Sequence, residues 1–278
     1  MKGYKAFSKD MTCRDFQYKK GAEFVHEDKL VPCESGFHFC PKLEDVFNYY
    51  AYDPENIVIC KVEARGKVIV HVDKVVTDRL YVGSELKIDS EEVQLEAVKQ
   101  DGRAIRYVID PSEEMQLVAV KQNGWVIRYV ADPSEKVQSV AVKENGYAIE
   151  YIADPSEEVQ LEAVKQDGRA IKYVADPSEK VQLAAVKQNG YAIKYVADSS
   201  KEVKLAAVKQ NGRNIEYVID PSEEMQLVAV KQNGLVIEFI TSPSEEVQLA
   251  AVKHNGWAIG YVADPSEKVL EYIRKNRK

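Results

Sequence analysis

The 278-residue chain is 45% apolar and 30% charged, the balance of an ordinary folded protein rather than a disordered or fibrous one. No stretch approaches the roughly 20 apolar residues of a membrane span, and the opening Met-Lys-Gly-Tyr-Lys-Ala-Phe lacks the apolar core of a secretory signal, so a cytoplasmic protein is expected. Residues 1–88 hold 14 basic and 14 acidic side chains against 24 and 31 in the remainder; the whole net charge of −7 therefore lies after residue 88, which argues against a phosphate-backbone binder.

Residues 1–88 contain no internal repeat and read as a small α+β head domain. Runs of β-type residues occur at 56–62, 67–72 and 80–88, and Pro41 opens a short helix expected over 43–50. All four cysteines (Cys13, Cys33, Cys40, Cys60) fall here, and in a cytoplasmic chain thiols are expected rather than disulfides. Cys13, Cys33, His38 and Cys40 are the residue types of a zinc site. The spacing Cys33-x4-His38-x-Cys40 is not that of a zinc knuckle, so buried thiols are the more economical reading; no metal and no cofactor are expected.

Two resemblances bear on the head. The run Ser35-Gly36-Phe37-His38-Phe39-Cys40, followed by Val46, Tyr49-Tyr50, the strand Ile57-Val58-Ile59-Cys60-Lys61-Val62 and Gly66, resembles the middle of an ADP-ribosyltransferase fold. That resemblance implies NAD chemistry, with His38 and Tyr49 or Tyr50 stacking on nicotinamide and Glu85 as the late catalytic acid. The family's first-strand His or Arg motif is missing, Tyr4-Lys5-Ala6 standing in that region, so a non-catalytic relative is the expectation. The segment as a whole, from Lys2-Gly3-Tyr4-Lys5-Ala6-Phe7 to Phe39-Cys40, also resembles an uncharacterised domain of phage and prophage proteins, which implies a context and no chemistry.

From residue 89 a 22-residue unit recurs. Gly102, Gly124, Gly146, Gly168, Gly190, Gly212, Gly234 and Gly256 keep the period without insertion, and a proline follows it from Pro111 to Pro265, replaced once by Ser199. Asn-Gly between apolar runs would suit a β-hairpin, but Ala119-Val120 and Ile127 with Tyr129-Val130 fall in adjacent or i,i+3 pairs that line one face of a helix. Asp110-Pro111-Ser112-Glu113 adds a helix start, with Asp110 as the cap. The unit is expected to be a helical hairpin: helix over 111–122, a left-handed turn at Gly124, and a second helix over 125–131. Val137, Ala141 and Val142 of one helix, with Ile149, Tyr151 and Ile152 of the other, would be buried by stacking of units. The fold class is therefore a small α+β N-terminal domain (1–88) followed by an all-α solenoid (89–278) of eight helical-hairpin repeats, closed by a capping helix over 265–278. The run Ala185-Val186-Lys187-Gln188-Asn189-Gly190-Tyr191-Ala192-Ile193-Lys194-Tyr195-Val196 resembles a bacterial and viral repeat family of unknown function. It implies tandem helical hairpins and no activity.

The residue after each glycine varies among Arg103, Trp125, Tyr147, Arg169, Tyr191, Arg213, Leu235 and Trp257, mostly the residue types that dominate protein interfaces. The repeats hold no cysteine and one histidine, so catalysis by them is not expected. The expected function is non-enzymatic: a protein partner bound along the repeat surface at Arg103, Trp125, Tyr147, Arg169, Tyr191, Arg213 and Trp257, with the phage-type head suggesting an inhibitor of a host defence complex or toxin. The alternatives are a transferase head (His38, Tyr49, Glu85) targeted by the repeats, and a structural scaffold.

Overall fold

The computed structural model describes residues 1–32 and 34–276. The chain forms two compact units, Met1–Val137 and Gln138–Lys278. The first begins with nine strands: β1 (Lys2–Ser8), β2 (Thr12–Cys13), β3 (Phe16–Gln17), β4 (Glu23–Val25), β5 (Phe37–Phe39), β6 (Ile57–Ala64), β7 (Val68–His71), β8 (Lys74–Thr77) and β9 (Arg79–Glu85). One antiparallel sheet runs β1-β6-β9-β4 and a second runs β5-β8-β7, while β2 and β3 form a short hairpin. The β-branched run of β6 lies between β1 and β9 and is buried over most of its length, as expected for a central strand. Phe7, Tyr18, Phe37, Phe39, Val62, Leu80 and Val82 fill the core.

The expected helix over 43–50 is much shorter. Only α1 (Leu43–Val46) is α-helical, and the chain then continues as turns closed by Tyr49 N–H and Tyr50 N–H to the Val46 carbonyl. Leu43 and Val46 are its buried residues; the polar 44–45 pair faces out. The turn after α1 matters because it aims Tyr49 and Tyr50 back toward β5.

The repeats follow as α2 (Glu91–Gln100), α3 (Glu113–Gln122), α4 (Glu135–Glu144), α5 (Glu157–Gln166), α6 (Glu179–Gln188), α7 (Lys201–Gln210), α8 (Glu223–Gln232) and α9 (Glu245–His254). Each leads into a six-residue 3-10 helix, from Gly102–Tyr107 in the first unit to Gly256–Tyr261 in the eighth. The final helix α10 (Glu267–Asn276) follows. A regular run of helical units after a small sheet domain is thus what the chain forms, but its second arm is 3-10 and not α.

Four details of the unit differ from the sequence expectation. The cap of α3 is Ser112, whose hydroxyl accepts from Met115 N–H, with Pro111 outside the helix. The aspartate before the proline serves elsewhere: Asp132, Asp154, Asp176 and Asp220 have positive φ of 65°, 50°, 48° and 49°, a conformation a short polar side chain tolerates. Among the described residues the repeat glycines do not have positive φ. Tyr151, expected in the core, is 40% exposed, and Ala148 is buried in its stead beside Ile149 and Ile152.

Close approach, rather than a left-handed turn, explains the glycine. A Cβ on Gly146 would lie 2.6 Å from the Ala163 carbonyl oxygen, and one on Gly212 would lie 2.7 Å from that of Ala229. This lets the Gly212 N–H donate to Gln232 Oε1 of the next unit at 2.7 Å, while Gln232 Nε2 donates to the last-turn carbonyls of Val208 and Lys209 at 3.1 and 3.0 Å. Gln122 does the same for Gly102, Val98 and Lys99. One carboxamide therefore satisfies both a helix C-terminus and a 3-10 N-terminus.

A paired substitution tests this account. Gly212→Ala should destabilise the repeats by about 1–3 kcal/mol through overpacking. Gly256→Ala, where a Cβ meets nothing within 4 Å, should be neutral or stabilising by up to about 1 kcal/mol. Urea midpoints followed by circular dichroism decide it; equal shifts would remove close approach as the reason for the glycine.

Candidate functional site

Two places gather reactive or recognition-type side chains. The first is a cleft of about 560 Å³ in the head, lined by β1, the β2–β3 hairpin, β5 and the turn after α1. Alternation along β1 puts Lys5 on the same face as Gly3 and Phe7, so a lysine sits where an apolar residue is usual. Lys5 is 7% exposed, lines the cleft and donates to the His38 backbone carbonyl at 2.9 Å. Burial pushes its pKa down from the ordinary lysine value. Cys13 Sγ and the Tyr50 hydroxyl are 3.2 Å apart, and burial raises Tyr50 above the usual tyrosine range.

Tyr49 donates to Asp73 Oδ2 at 2.5 Å with the Lys74 ammonium 3.9 Å over its ring. His38 is pushed down by burial, and then by the neighbouring charges of Lys5 and Arg14. Burial, reinforced by the Asp45 and Asp73 carboxylates, pushes the Cys40 thiol up to about 11.

The structure brings His38, Tyr49 and Tyr50 to one cleft. Glu85 is not among its lining residues: it ends β9, opposite Cys60, and its carboxylate pairs with Lys20 at 2.5 Å. Cys13, His38 and Cys40 share the cleft lining, while Cys33 lies outside the described residues. Among the described residues no group of three or more His, Cys, Asp or Glu is placed to hold a metal ion.

The second place is the outward face of the 3-10 helices. Three residues per turn eclipse every third side chain, so the first and fourth positions after the glycine share an edge. The Asn or Asp before the glycine fixes the start of this helix; Asn189 Oδ1, for instance, accepts from Tyr191 N–H at 3.1 Å. Ala192 and Ile193 turn inward and are buried. Tyr191 and Lys194 turn outward, and the ammonium donates to the hydroxyl at 2.9 Å, which holds that tyrosine below its usual pKa.

In residues 138–278 this face interleaves rings and cations. Tyr147 meets Tyr173 edge-on at 6.0 Å with Lys172 over both rings, and Tyr191 meets Tyr217 at 5.2 Å with Lys194 over both. Arg213 lies over Phe239 at 5.4 Å, and Trp257 is 84% exposed. In residues 1–137 Arg106 covers Tyr107 and Arg128 covers Tyr129. Arg103 and Arg169 instead turn back onto Asp101 and Asp167 at 2.9 Å each. Trp125 is half-buried on the 3-10 helix Gly124–Tyr129.

The sequence places Tyr151 in the core, yet it is 40% exposed, and the closing tyrosines Tyr173 and Tyr217 supply rings of this surface. The period that would have revealed it is three, not 3.6. In the head, Lys5 and Arg14 escaped notice; a lysine between Gly3 and Phe7 on one strand face was the readable signal.

Residues 1–94 match the family model described as Domain of unknown function (DUF7666), and residues 178–220 match Domain of unknown function (DUF4116). No curated protein and no solved structure matches the chain.

Thiol reactivity checks the cleft's electrostatics. The reactive form is the thiolate, so a thiol with a pKa of about 11 is only about 0.1% reactive at pH 8 and gains about tenfold per pH unit up to pH 11. Cys40 should therefore alkylate with iodoacetamide on such a profile, read by peptide mapping. A plateau below pH 9.5 would contradict it.

Proposed function

We propose that the repeats bind a protein partner carrying an acidic segment, through the face built by their 3-10 helices. The observation that supports this is a set of four cations placed over rings rather than against carboxylates, while Glu150, Glu216 and Glu238 take the same position in other units. Arg106, Arg128, Lys172 and Lys194 lie over tyrosine rings, and none of them makes a salt bridge among the described residues. Cations backed by aromatic faces keep their charge available to a ligand and are already desolvated in part, so less is lost on docking. Tyrosine, tryptophan and arginine are also the side chains whose truncation costs most at protein interfaces.

Surplus acid elsewhere in the repeats, 31 acidic against 24 basic side chains after residue 88, favours a polypeptide over a nucleic-acid backbone. The likeness of the head to phage and prophage proteins supports an inhibitor of a host defence complex or toxin as the biological role.

The test is recovery of partners from a source-cell lysate, quantified by mass spectrometry. Lys172→Glu with Lys194→Glu should lower recovery of a salt-labile partner by about tenfold or more, two reversals at about 1 kcal/mol or more each. Lys180→Glu, on the α6 N-terminal turn and paired with Glu157, should leave it unchanged. Equal recovery by both variants, or a partner that disappears on nuclease treatment, would overturn the reading.

A further inference from the structure

We propose that the head cleft takes a small anionic aldehyde or ketone, and that the Lys5 amine forms a reversible imine with its carbonyl carbon. Lys5 lines a cleft of about 560 Å³ yet is itself 7% exposed, so its amine stands at the floor and not on the rim. Its amine donates to the neutral His38 carbonyl at 2.9 Å, the Cys13 side chain is a second hydrogen-bond partner, and the Phe7 and Tyr18 rings lie 5.5 and 5.6 Å away. No carboxylate lies within salt-bridge distance of it among the described residues. A buried amine without a counter-charge sheds its proton and exposes a lone pair, which is how a lysine becomes a nucleophile at neutral pH. The lowering of its pKa by burial agrees with that geometry.

The rest of the lining suits the other half of the ligand. Arg14, at φ 53° in the turn of the β2–β3 hairpin, is exposed at the cleft and makes no salt bridge among the described residues. It provides a fork for a carboxylate or phosphate. Phe16 and Tyr18 supply an apolar wall. Tyr50, hydrogen-bonded to Cys13, lines the same space, and burial keeps its hydroxyl protonated.

The step balances without a redox partner. The Lys5 Nζ lone pair attacks the carbonyl carbon, the π electrons move to oxygen, and that oxygen takes the proton the nitrogen loses, giving a carbinolamine. The nitrogen lone pair then expels the hydroxyl, which leaves as water with a proton from Tyr50, and the resulting protonated imine returns its nitrogen proton to the Tyr50 oxygen. Hydrolysis reverses it. Amine and carbonyl enter; imine and water leave.

The experiment uses the full chain and pyridoxal 5′-phosphate as probe, trapped with borohydride and located by peptide mapping. Lys5 should carry most of the label at pH 7.5, ahead of the exposed Lys19 and Lys42, because a buried amine without a carboxylate partner is more often neutral. Arg14→Gln should slow labelling by the phosphorylated probe about tenfold while leaving that by unphosphorylated pyridoxal unchanged. Mapping on the unsubstituted chain needs no variant that might misfold. Label spread evenly over exposed lysines, or found on Cys13, would overturn the proposal; phosphorylated-probe labelling unaffected by Arg14→Gln would overturn its anionic half.

Discussion

A single backbone amide sets the geometry of the repeats. The N–H that opens a 3-10 helix must find an acceptor, and at Gly102, Gly146, Gly168, Gly190, Gly212 and Gly234 it finds one on the next unit, at the side chain that ends the following α-helix. Gly212 to Gln232 is the clearest case, and Gly234 uses His254 Nδ1 at 3.1 Å in the same way. The donor can come this close only because no Cβ stands between the 3-10 helix and the next helix's alanine carbonyl. A buried donor left without its acceptor costs about 1–3 kcal/mol, so the glycine of one unit and the glutamine of the next depend on each other.

With the inward positions committed to that contact and to alanine and isoleucine, the outward ones are left to vary. Tryptophan, tyrosine, arginine and leucine follow the glycine in different units while Ala170, Ile171, Ala192 and Ile193 stay buried. The head meets the first unit with the same chemistry. Gln100, at the position that elsewhere clamps a preceding unit, donates to Asn48 of the turn after α1, and Tyr52 donates to the Ile88 carbonyl at 2.9 Å. A turn in an unrelated domain thus replaces the missing preceding repeat.

Much of this was legible in the sequence, for reasons that can be named. The 22-residue period, the first helix and its burial pattern came from spacing alone, because Val, Ala and Val recur at positions that share one helical face. The 3-10 arm did not, since six residues give too few turns to tell a period of 3.0 from 3.6, and Tyr151 was placed inside for that reason. Asp110 and Ser112 both suit a cap; which of them serves depends on the loop conformation, which sequence does not show. In the head, His38 and Tyr49 were found through a resemblance and do share a cleft, but Glu85 belongs to the far end of β9. Lys5 was passed over because burial of a lysine is a property of the sheet pairing, β1 on β6, and not of the residue.

The uniformity of the junction has an evolutionary consequence. Six boundaries, those after Gly102, Gly146, Gly168, Gly190, Gly212 and Gly234, join one glycine to one glutamine, or in one case a histidine, with Pro carbonyls tied to Gln160, Gln182, Gln226 and Gln248 inside four units. An in-frame loss or gain of 22 residues between two such glycines therefore rejoins compatible halves. Copy number becomes a quantity that recombination can tune without redesigning a core, and each added unit brings one fresh set of outward side chains for selection to edit.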